Sequence, residues 1–485
     1  MIPITAYRDK TVAVFGLGRT GLSVIRALVA GGARVLVWDD DPDRRLDAVS
    51  LGAEAAAPSA ETWKGIAALV LSPGVPLTHP RPHMVVGLAD RLGAEILGDV
   101  ELFARTRPAA AMAAVTGTNG KSTTTSLLGH ILSSAGRAVE VGANLGRPVL
   151  DFDVLAAAGA YVLELSSYQI DLTKGLRPQV VALLNISPDH LDRHGGMDGY
   201  IAAKHRLLEM AGPDATLVIG SDDEWSARIC HAMQAAGRKV MEISIHREVA
   251  AGIFARDGRL YRAGSEEPAE LVADLNGIET LRGAHNWQNA AVAFAVAEAL
   301  GLTTGQIVPA LADYPGLQHR LEVVARQGDI VFVNDSKATN AEATAHALAA
   351  YKRIYWIAGG IAKQGGIASL APYFPNIVRA FLIGEAASDF ARGLGTDLAH
   401  EISGDLATAV RAAHKAAHEG SLAGAGGVVL LSPACASFDQ FASFEDRGDQ
   451  FRALARDIAG QSNGNGNGGD GVNGDFPRRA VGGAR

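Results

Sequence analysis

Short β-branched runs recur along the chain, each closed at once by glycine and followed by apolar residues at helical spacing. That succession is the signature of strand-to-helix turns in α/β proteins. The first block opens with the apolar run Thr11 to Phe15, turns at GLGRTG, continues as a helix to about Ala30 and returns as a strand over Arg34 to Trp38. The second opens at Ala111 to Thr116, turns at GTNGKST and runs as a helix through Thr124 to Ser134, with further strands at Ala160 to Leu165 and Val180 to Asn185. The third begins near Asp313, after LADYP, with strands at Ile330 to Asn334, Ile354 to Ala358, Ala380 to Ile383 and Val428 to Ser432. The closing stretch GQSNGNGNGGDGVNGDFPRRAVGGAR has almost nothing apolar to bury and is expected to be disordered. No short period repeats, which excludes solenoids and propellers.

Length agrees with this division: 485 residues at about 150 per domain make three domains. The chain is 48% hydrophobic and 20% charged, an ordinary globular balance. No apolar run reaches the roughly 18 residues that span a bilayer, so a soluble protein with no membrane partner is expected. With 44 Lys and Arg against 52 Asp and Glu the formal charge is −8, which offers nucleic-acid phosphates no long-range attraction. The two cysteines, Cys230 and Cys435, stand far apart and outside any zinc-ligand spacing. The N-terminal MIPITAYRDK lacks the apolar core of a signal peptide, making the cytoplasm the default compartment. Nothing demands more than a monomer.

The polar residues gather at the turns. GLGRTG has Rossmann spacing, with Asp39, Asp40 and Asp41 at the end of the next strand, and suits a nucleotide or nucleotide-sugar diphosphate. Its alternative is a glycine turn needed only for close strand–helix packing. GTNGKST is a phosphate cradle in which Lys121 would reach the β- and γ-phosphates and Ser122 would ligate Mg²⁺. The strict P-loop pattern puts glycine where this chain has Val115, which favours a subgroup reading Thr-Gly-Thr-Asn-Gly-Lys-Ser. Glu164 ends the strand of YVLELSSYQ, where a carboxylate at the carboxyl edge of a parallel sheet would hold that metal. ISPDHLDRHG carries Asp189, His190, Asp192 and His194, with Lys204 following on YIAAKHRLLE. Those residues fit either a second cation or a solvated helix start, since histidine is a soft partner for Mg²⁺. In HNWQN the amides would bind adenine or a phosphate, or Asn286 would cap a helix. LQHRLEVV sets His319 and Arg320 at the entry to the third block. NDSKATN, GGIAKQGG and SPACASFDQF each follow a strand there, as loops suited to a carboxylate substrate and expected to converge at one sheet edge.

Taken together, TGTNGKS, ELSSYQ, DHLDRHG with AAKHRLLE, HNWQN, HRLE, NDSKATN and SPACASFDQF resemble the Mur ligases of peptidoglycan synthesis over about residues 10 to 460. NDSKATN and SPACASFDQF are similar to the branch that adds D-glutamate, and the Asp-Asn-Pro-Arg motif of the diamino-acid-adding branch is absent. The resemblance implies a Rossmann-like UDP-binding domain over 1–107, a P-loop-type central ATPase domain over 108–312 and a Rossmann-like C-terminal amino-acid-binding domain over 313–460, with 461–485 as the disordered tail. It implies ATP-dependent ligation of D-glutamate to UDP-N-acetylmuramoyl-L-alanine through an acyl phosphate. UDP and its sugar would meet Arg19, Thr20, Asp39, Asp40, Ser72 and, in the central domain, Asn144. ATP would meet Gly117, Thr118, Asn119, Gly120, Lys121, Ser122, Thr123, Asn286, Asn289, Arg320 and Asp335, and D-glutamate would meet Lys337, Thr339, Lys363, Ser437 and Phe438. Two Mg²⁺ ions are implied, on Ser122 and Glu164 and on His190, with Lys204 carrying a CO₂-derived carbamate that turns a cation into a metal-holding anion. Lys121, His190 and Lys204 are then the catalytic set. The family often reads Gly-Gly-Asp-x-Lys where this chain has Gly359-Gly360-Ile361-Ala362-Lys363, so an acid is lost there. Three domains serving one reaction imply an open form that closes on ATP.

Two rivals keep part of the motif set. A folylpolyglutamate synthase leaves the first domain unexplained, and an NAD-dependent oxidoreductase leaves the ATP loop and NDSKATN unexplained. A catalytically silent nucleotide-binding scaffold is a third.

Overall fold

Each β-branched run becomes a strand, and the glycine after it the turn into a helix. The computed structural model describes residues 1–264, 268–363, 365–422, 424 and 426–463. The first sheet is parallel throughout, in the spatial order Glu54–Ala55, Arg34–Trp38, Thr11–Phe15, Ala68–Leu71, Glu95–Leu97. Its central strands are buried along nearly their whole length, as strands covered on both faces must be. The carboxyl ends of Thr11–Phe15, Arg34–Trp38 and Ala68–Leu71 put Gly16, Asp39 and Ser72 on one edge.

The second sheet has nine strands. Ala111–Thr116 lies between Val180–Leu183 and Ala160–Glu164, with Val139–Ala143 outermost on that side, all parallel. On the other side follow Thr216–Gly220, Val240–Ser244 and Gly252–Arg256, then Arg259–Ala263 and Glu270–Asp274 in antiparallel pairing. The sequence reading did not expect this antiparallel extension, because its strands are short, rich in charge and only partly buried. The GTNGKST turn opens a helix at Lys121, which runs to Ser134.

The first two sheets share one hydrophobic core. Phe103 packs edge-on against Phe152 and Tyr161, with ring centroids 6.5 and 5.1 Å apart. Ser23 and Arg26 of the first helix hold the Asp151 carboxylate at 2.8 and 2.9 Å, and Glu101 accepts the backbone N–H groups of Lys174 and Gly175. The change of domain near residue 107 is thus a change of sheet within one packed unit, Met1–Leu317.

The second unit starts at Gln318, a few residues beyond the expected break after residue 312. Its sheet runs Glu322–Gln327, Ile330–Asn334, Gly427–Leu431, Ile354–Gly359, Ile377–Ile383, His400–Gly404, parallel except for the first strand. The helix Phe444–Asn463 runs past the expected end of the fold at residue 460, and the rest of the proposed disordered tail lies outside the described residues. Among the described residues no helix is long and apolar enough to cross a membrane.

Candidate active site

The loop after Ala111–Thr116 is held from three sides. Gly120 caps the helix Lys121–Ser134 in the left-handed region, φ +83°, and a Cβ there would collide with the Asn289 side chain. Asn289 in turn accepts from Thr124 Oγ1 at 3.3 Å and donates to Asn286 Oδ1 at 3.0 Å, so HNWQN braces the loop. Asn286 donates to the Arg282 carbonyl at 3.0 Å and is not a helix cap: Gly283 occupies that place. Asn185 pairs with the backbone of Asn119 in both directions, and Thr118 Oγ1 lies 3.0 Å from the Tyr200 hydroxyl. Ser122 is buried, and Thr123 is half-buried on the same first helical turn.

Two lysine side chains converge on the carbonyl of Gly117. Lys121 Nζ donates to it at 2.9 Å and to Thr118 O at 2.7 Å, while Lys204 Nζ donates to it at 2.8 Å. Lys204 is buried above the Tyr200 ring, 4.6 Å from its centroid. Burial, reinforced by the charge of Lys121, holds the Lys204 amine well below the ordinary lysine range. Lys121 and Lys204 line a cleft of about 300 Å³ together with Pro73, Gly74, Asn144, Ser166, Ser167, Tyr168, Asp189, His190 and Tyr200. His190 stands half-exposed in a left-handed conformation, φ +53°, with Nε2 3.4 Å from Asp189 Oδ2.

Glu164 sits at the end of its strand, as expected. Its Oε1 accepts from Asn144 Nδ2 at 2.7 Å, and its Oε2 is buried without a partner. A buried open carboxylate oxygen is costly unless something positive completes it. Among the described residues no three His, Cys, Asp or Glu side chains gather closely enough to hold a metal by themselves. One hard oxygen beside a phosphate-binding loop fits Mg²⁺, which takes few protein ligands and relies on substrate phosphates and water.

The first-domain turn is built differently. A Cβ on Gly21 would strike the Gly16 carbonyl, so close helix–strand packing accounts for that glycine. Asp39 is nearly buried, and its two oxygens accept from Leu17 N at 2.6 Å and Asp41 N at 3.0 Å, bracing the turn from within. Arg19 and Asp40 are exposed, whereas Thr20 and Ser72 are half-buried. Asp99 lies behind Gly16, Thr20 and Ser72, wholly buried, and desolvation pushes it up to about 6.

In the second unit the three carboxylate-suited loops meet. Ile361–Ala362 pairs antiparallel with Cys435–Ala436, placing Lys363 and Ser437 just beyond paired strands. Arg447, fully buried, donates from Nε to Ser336 Oγ at 3.0 Å and from Nη2 to Ser336 O and Cys435 O at 2.8 and 3.1 Å. Asp335 accepts from Ser432 Oγ at 2.7 Å and from Leu321 N, and burial pushes it up to about 7. Lys337 Nζ stands 3.7 Å above the Phe444 ring. Thr339 and Arg320 are half-buried, Lys363 and Phe438 are exposed and Ser437 is buried.

The sequence reading missed two participants. Arg193 donates to Gly74 O at 3.0 Å and lies over the Tyr168 ring at 4.6 Å, tying the loop after Leu71 to ELSSYQ. Arg447 looks like one more charge on a solvated helix in FEDRGDQ.

Three family models match the chain in succession: a Mur ligase MurD-like N-terminal domain over residues 10–98, a Mur ligase middle domain over 115–297 and a Mur ligase glutamate ligase domain over 319–435. The chain is 52% identical to the UDP-N-acetylmuramoylalanine–D-glutamate ligase of Caulobacter sp. strain K31 over 465 residues, 94% of this chain and 98% of that protein. It is also 52% identical to the ligase of the same name from Rhizobium meliloti strain 1021, over 93% of this chain and 97% of that protein. Among solved structures, the UDP-N-acetylmuramate-alanine ligase of Thermotoga maritima aligns with TM-score 0.56 at 16% identity, covering 93% of this chain and 99% of that one. A pseudomurein peptide ligase type C from Methanothermus fervidus aligns with TM-score 0.54 at 18% identity over 93% of this chain and 100% of that one. At these identities the two structures speak for the fold alone.

Proposed function

The chain belongs to the Mur ligase family, and from that premise we propose that it uses ATP to join D-glutamate to UDP-N-acetylmuramoyl-L-alanine. The products are UDP-N-acetylmuramoyl-L-alanyl-D-glutamate, ADP and phosphate, in a step of peptidoglycan synthesis. The observation that carries this reading is the cleft holding Lys121, Asn144, His190 and Lys204 beside the first-domain loop at Pro73 and Gly74.

A carboxylate oxygen is a poor leaving group, so the alanyl carboxylate must be activated before an amine can displace it. Transfer of the γ-phosphoryl group makes an acyl phosphate. Lys121 would exchange its two loop carbonyls for phosphate oxygens, and the amides of Gly117 to Thr123 would wrap them. Ser122, Glu164, His190 and a carbamylated Lys204 would hold two Mg²⁺ ions, whose chemistry is charge neutralisation on the transferred group. The orphaned Glu164 oxygen supports this, and burial of Lys204 favours the unprotonated amine that adds CO₂. The amine of D-glutamate then attacks the acyl carbon, and phosphate leaves from the tetrahedral intermediate.

The remaining assignments follow the same reading. Arg19, Thr20, Asp39, Asp40 and Ser72 serve the UDP end, with Asp39 acting as the brace of the turn. Asn286, Asn289, Arg320 and Asp335 serve ATP, while Lys337, Thr339, Lys363, Ser437 and Phe438 serve D-glutamate. The UDP-binding domain is about 1–107, the central domain runs on to about Leu317, the amino-acid-binding domain begins at Gln318, and the protein works as a cytoplasmic monomer. Phosphate release with ATP, Mg²⁺ and UDP-N-acetylmuramoyl-L-alanine tests the proposal, comparing D-glutamate, L-glutamate, a diamino acid and no amino acid. Release is expected with D-glutamate only. Release with another amino acid moves the specificity, and no release with any overturns the reading.

A further inference from the structure

One wall of the cleft carries a series of polar groups that the ligation scheme above leaves unused. Ser167 lines the cleft at the start of the helix Ser167–Asp171, and its Oγ lies 2.9 Å from Nε2 of His194. On the far side of the same ring, Nδ1 lies 3.4 Å from Asp171 Oδ2. The other Asp171 oxygen is 3.2 Å from Arg206. Ser167 and His194 are buried, whereas the Asp171 side chain is 18% exposed, so the series leads from the cleft wall to the surface. Tyr168 stacks on the His194 ring and Tyr200 tilts against it, each at 5.5 Å, fixing its orientation.

The protonation state follows from these surroundings. Burial, the largest cause, pushes His194 down to about 4, so the ring is neutral at pH 7. A neutral imidazole has one donor and one acceptor nitrogen. With a carboxylate facing Nδ1 and a hydroxyl facing Nε2, the proton belongs on Nδ1, leaving Nε2 to accept from Ser167. Desolvation holds Asp171 above the ordinary carboxylate range despite Arg206, which makes it a better proton acceptor than an exposed aspartate.

We propose that Ser167, His194 and Asp171 form the proton relay that deprotonates the amino group attacking the acyl phosphate. The proposal rests on the ligase reading above and names the base that the reading lacks. An amino acid arrives as an ammonium ion, which has no lone pair. One ammonium N–H breaks as its proton passes to Ser167 Oγ, the Ser167 hydroxyl proton passes to His194 Nε2, and the Nδ1 proton passes to Asp171. The freed lone pair forms the C–N bond. When the bond from the acyl carbon to the phosphate oxygen breaks, the relay runs in reverse and gives one proton to the departing phosphate, restoring the tautomer and the Asp171 carboxylate. The second surplus proton of the nitrogen goes to solvent. Ser167 is the member that touches the amine; His194 and Asp171 act through it.

The test replaces D-glutamate with hydroxylamine, whose nitrogen carries a free lone pair at neutral pH and which converts acyl phosphates to hydroxamates. The unaltered enzyme, His194→Gln and Ser167→Ala are each given ATP, Mg²⁺ and UDP-N-acetylmuramoyl-L-alanine with either nucleophile. Glutamine keeps a polar tip of similar bulk, and Ser167→Ala provides a second reading should the first variant not fold. In both variants D-glutamate ligation is expected to fall about 100-fold while hydroxamate formation stays within about threefold. The D-glutamate deficit should shrink as pH rises and the free amine becomes abundant. An equal fall with both nucleophiles, or no fall with either, overturns the relay. Hydroxylamine that gives the unaltered enzyme no hydroxamate while D-glutamate is ligated overturns the relay's premise of an open acyl phosphate, and absence of both products overturns the ligase reading itself.

Discussion

The two glycine turns of the first unit share one plan, strand, glycine loop and helix, but the protein lodges opposite charges beside them. At GLGRTG the first amide beyond Gly16 is already occupied by the carboxylate of Asp39, and Asp99 is buried behind the loop. At GTNGKST Lys121 leans on the carbonyls of Gly117 and Thr118. A turn that carries its own anion offers a ligand few free positive groups, whereas a turn that carries its own cation attracts polyphosphate strongly. Glycine spacing therefore marks where a backbone is approached closely. The charge beside it decides by what.

The comparison breaks most visibly at Lys121. Lys121→Ala should lower ATP-dependent phosphate release by about 10²–10³-fold, read in the D-glutamate assay. Next comes Asp99, whose carboxyl is raised in the fold to about 6 from an ordinary 3.8. Between those values the folded chain keeps a proton that the unfolded chain has lost, so this contribution to stability is full below about pH 4 and is lost as pH rises through about 6. Asp99→Asn should remove that slope, leaving the variant more stable by up to about 3 kcal/mol at pH 8 and unchanged at pH 4, measured by denaturant unfolding.

Glycine substitutions sharpen the contrast. Gly120→Ala forces a side chain into the left-handed region and against Asn289, and should cost about 1–3 kcal/mol in the same experiment. Asp39→Asn keeps one acceptor for Leu17 but removes the charge, and should cost about 1 kcal/mol while raising KM for the UDP substrate and leaving that for ATP unchanged. Gly18→Ala should alter stability by less than about 0.5 kcal/mol, because φ is −68° and no atom lies within 4 Å of the added Cβ. An effect confined to KM for the UDP substrate would show that the open space there belongs to the ligand.

Both turns were legible because a β-branched run followed by glycine is a local signal, and the strands at Thr11, Arg34, Ala111 and Ile330 begin where the pattern put them. The antiparallel strands Arg259–Ala263 and Glu270–Asp274 were not, because a charged, partly exposed strand lacks the continuous apolar run of a covered one. The relay was invisible for another reason. Ser167 and His194 belong to separate segments that meet only when the helix of ELSSYQ packs against the turn of DHLDRH. Arg447 hid inside an acid-rich stretch, where sequence shows charge and only packing shows burial.

The bond from Arg193 to the loop at Gly74 joins the helix turn that carries His190 to the first domain. The first two sheets also share one core, so the distance from the GLGRTG turn to the cleft is set by packed side chains rather than by a flexible linker. Such a frame works as a ruler. A ligand anchored at one mark would reach the other only if its own length agreed, and under the proposed reading a truncated or extended nucleotide sugar would fail by misplacement before any contact at the reacting end is judged.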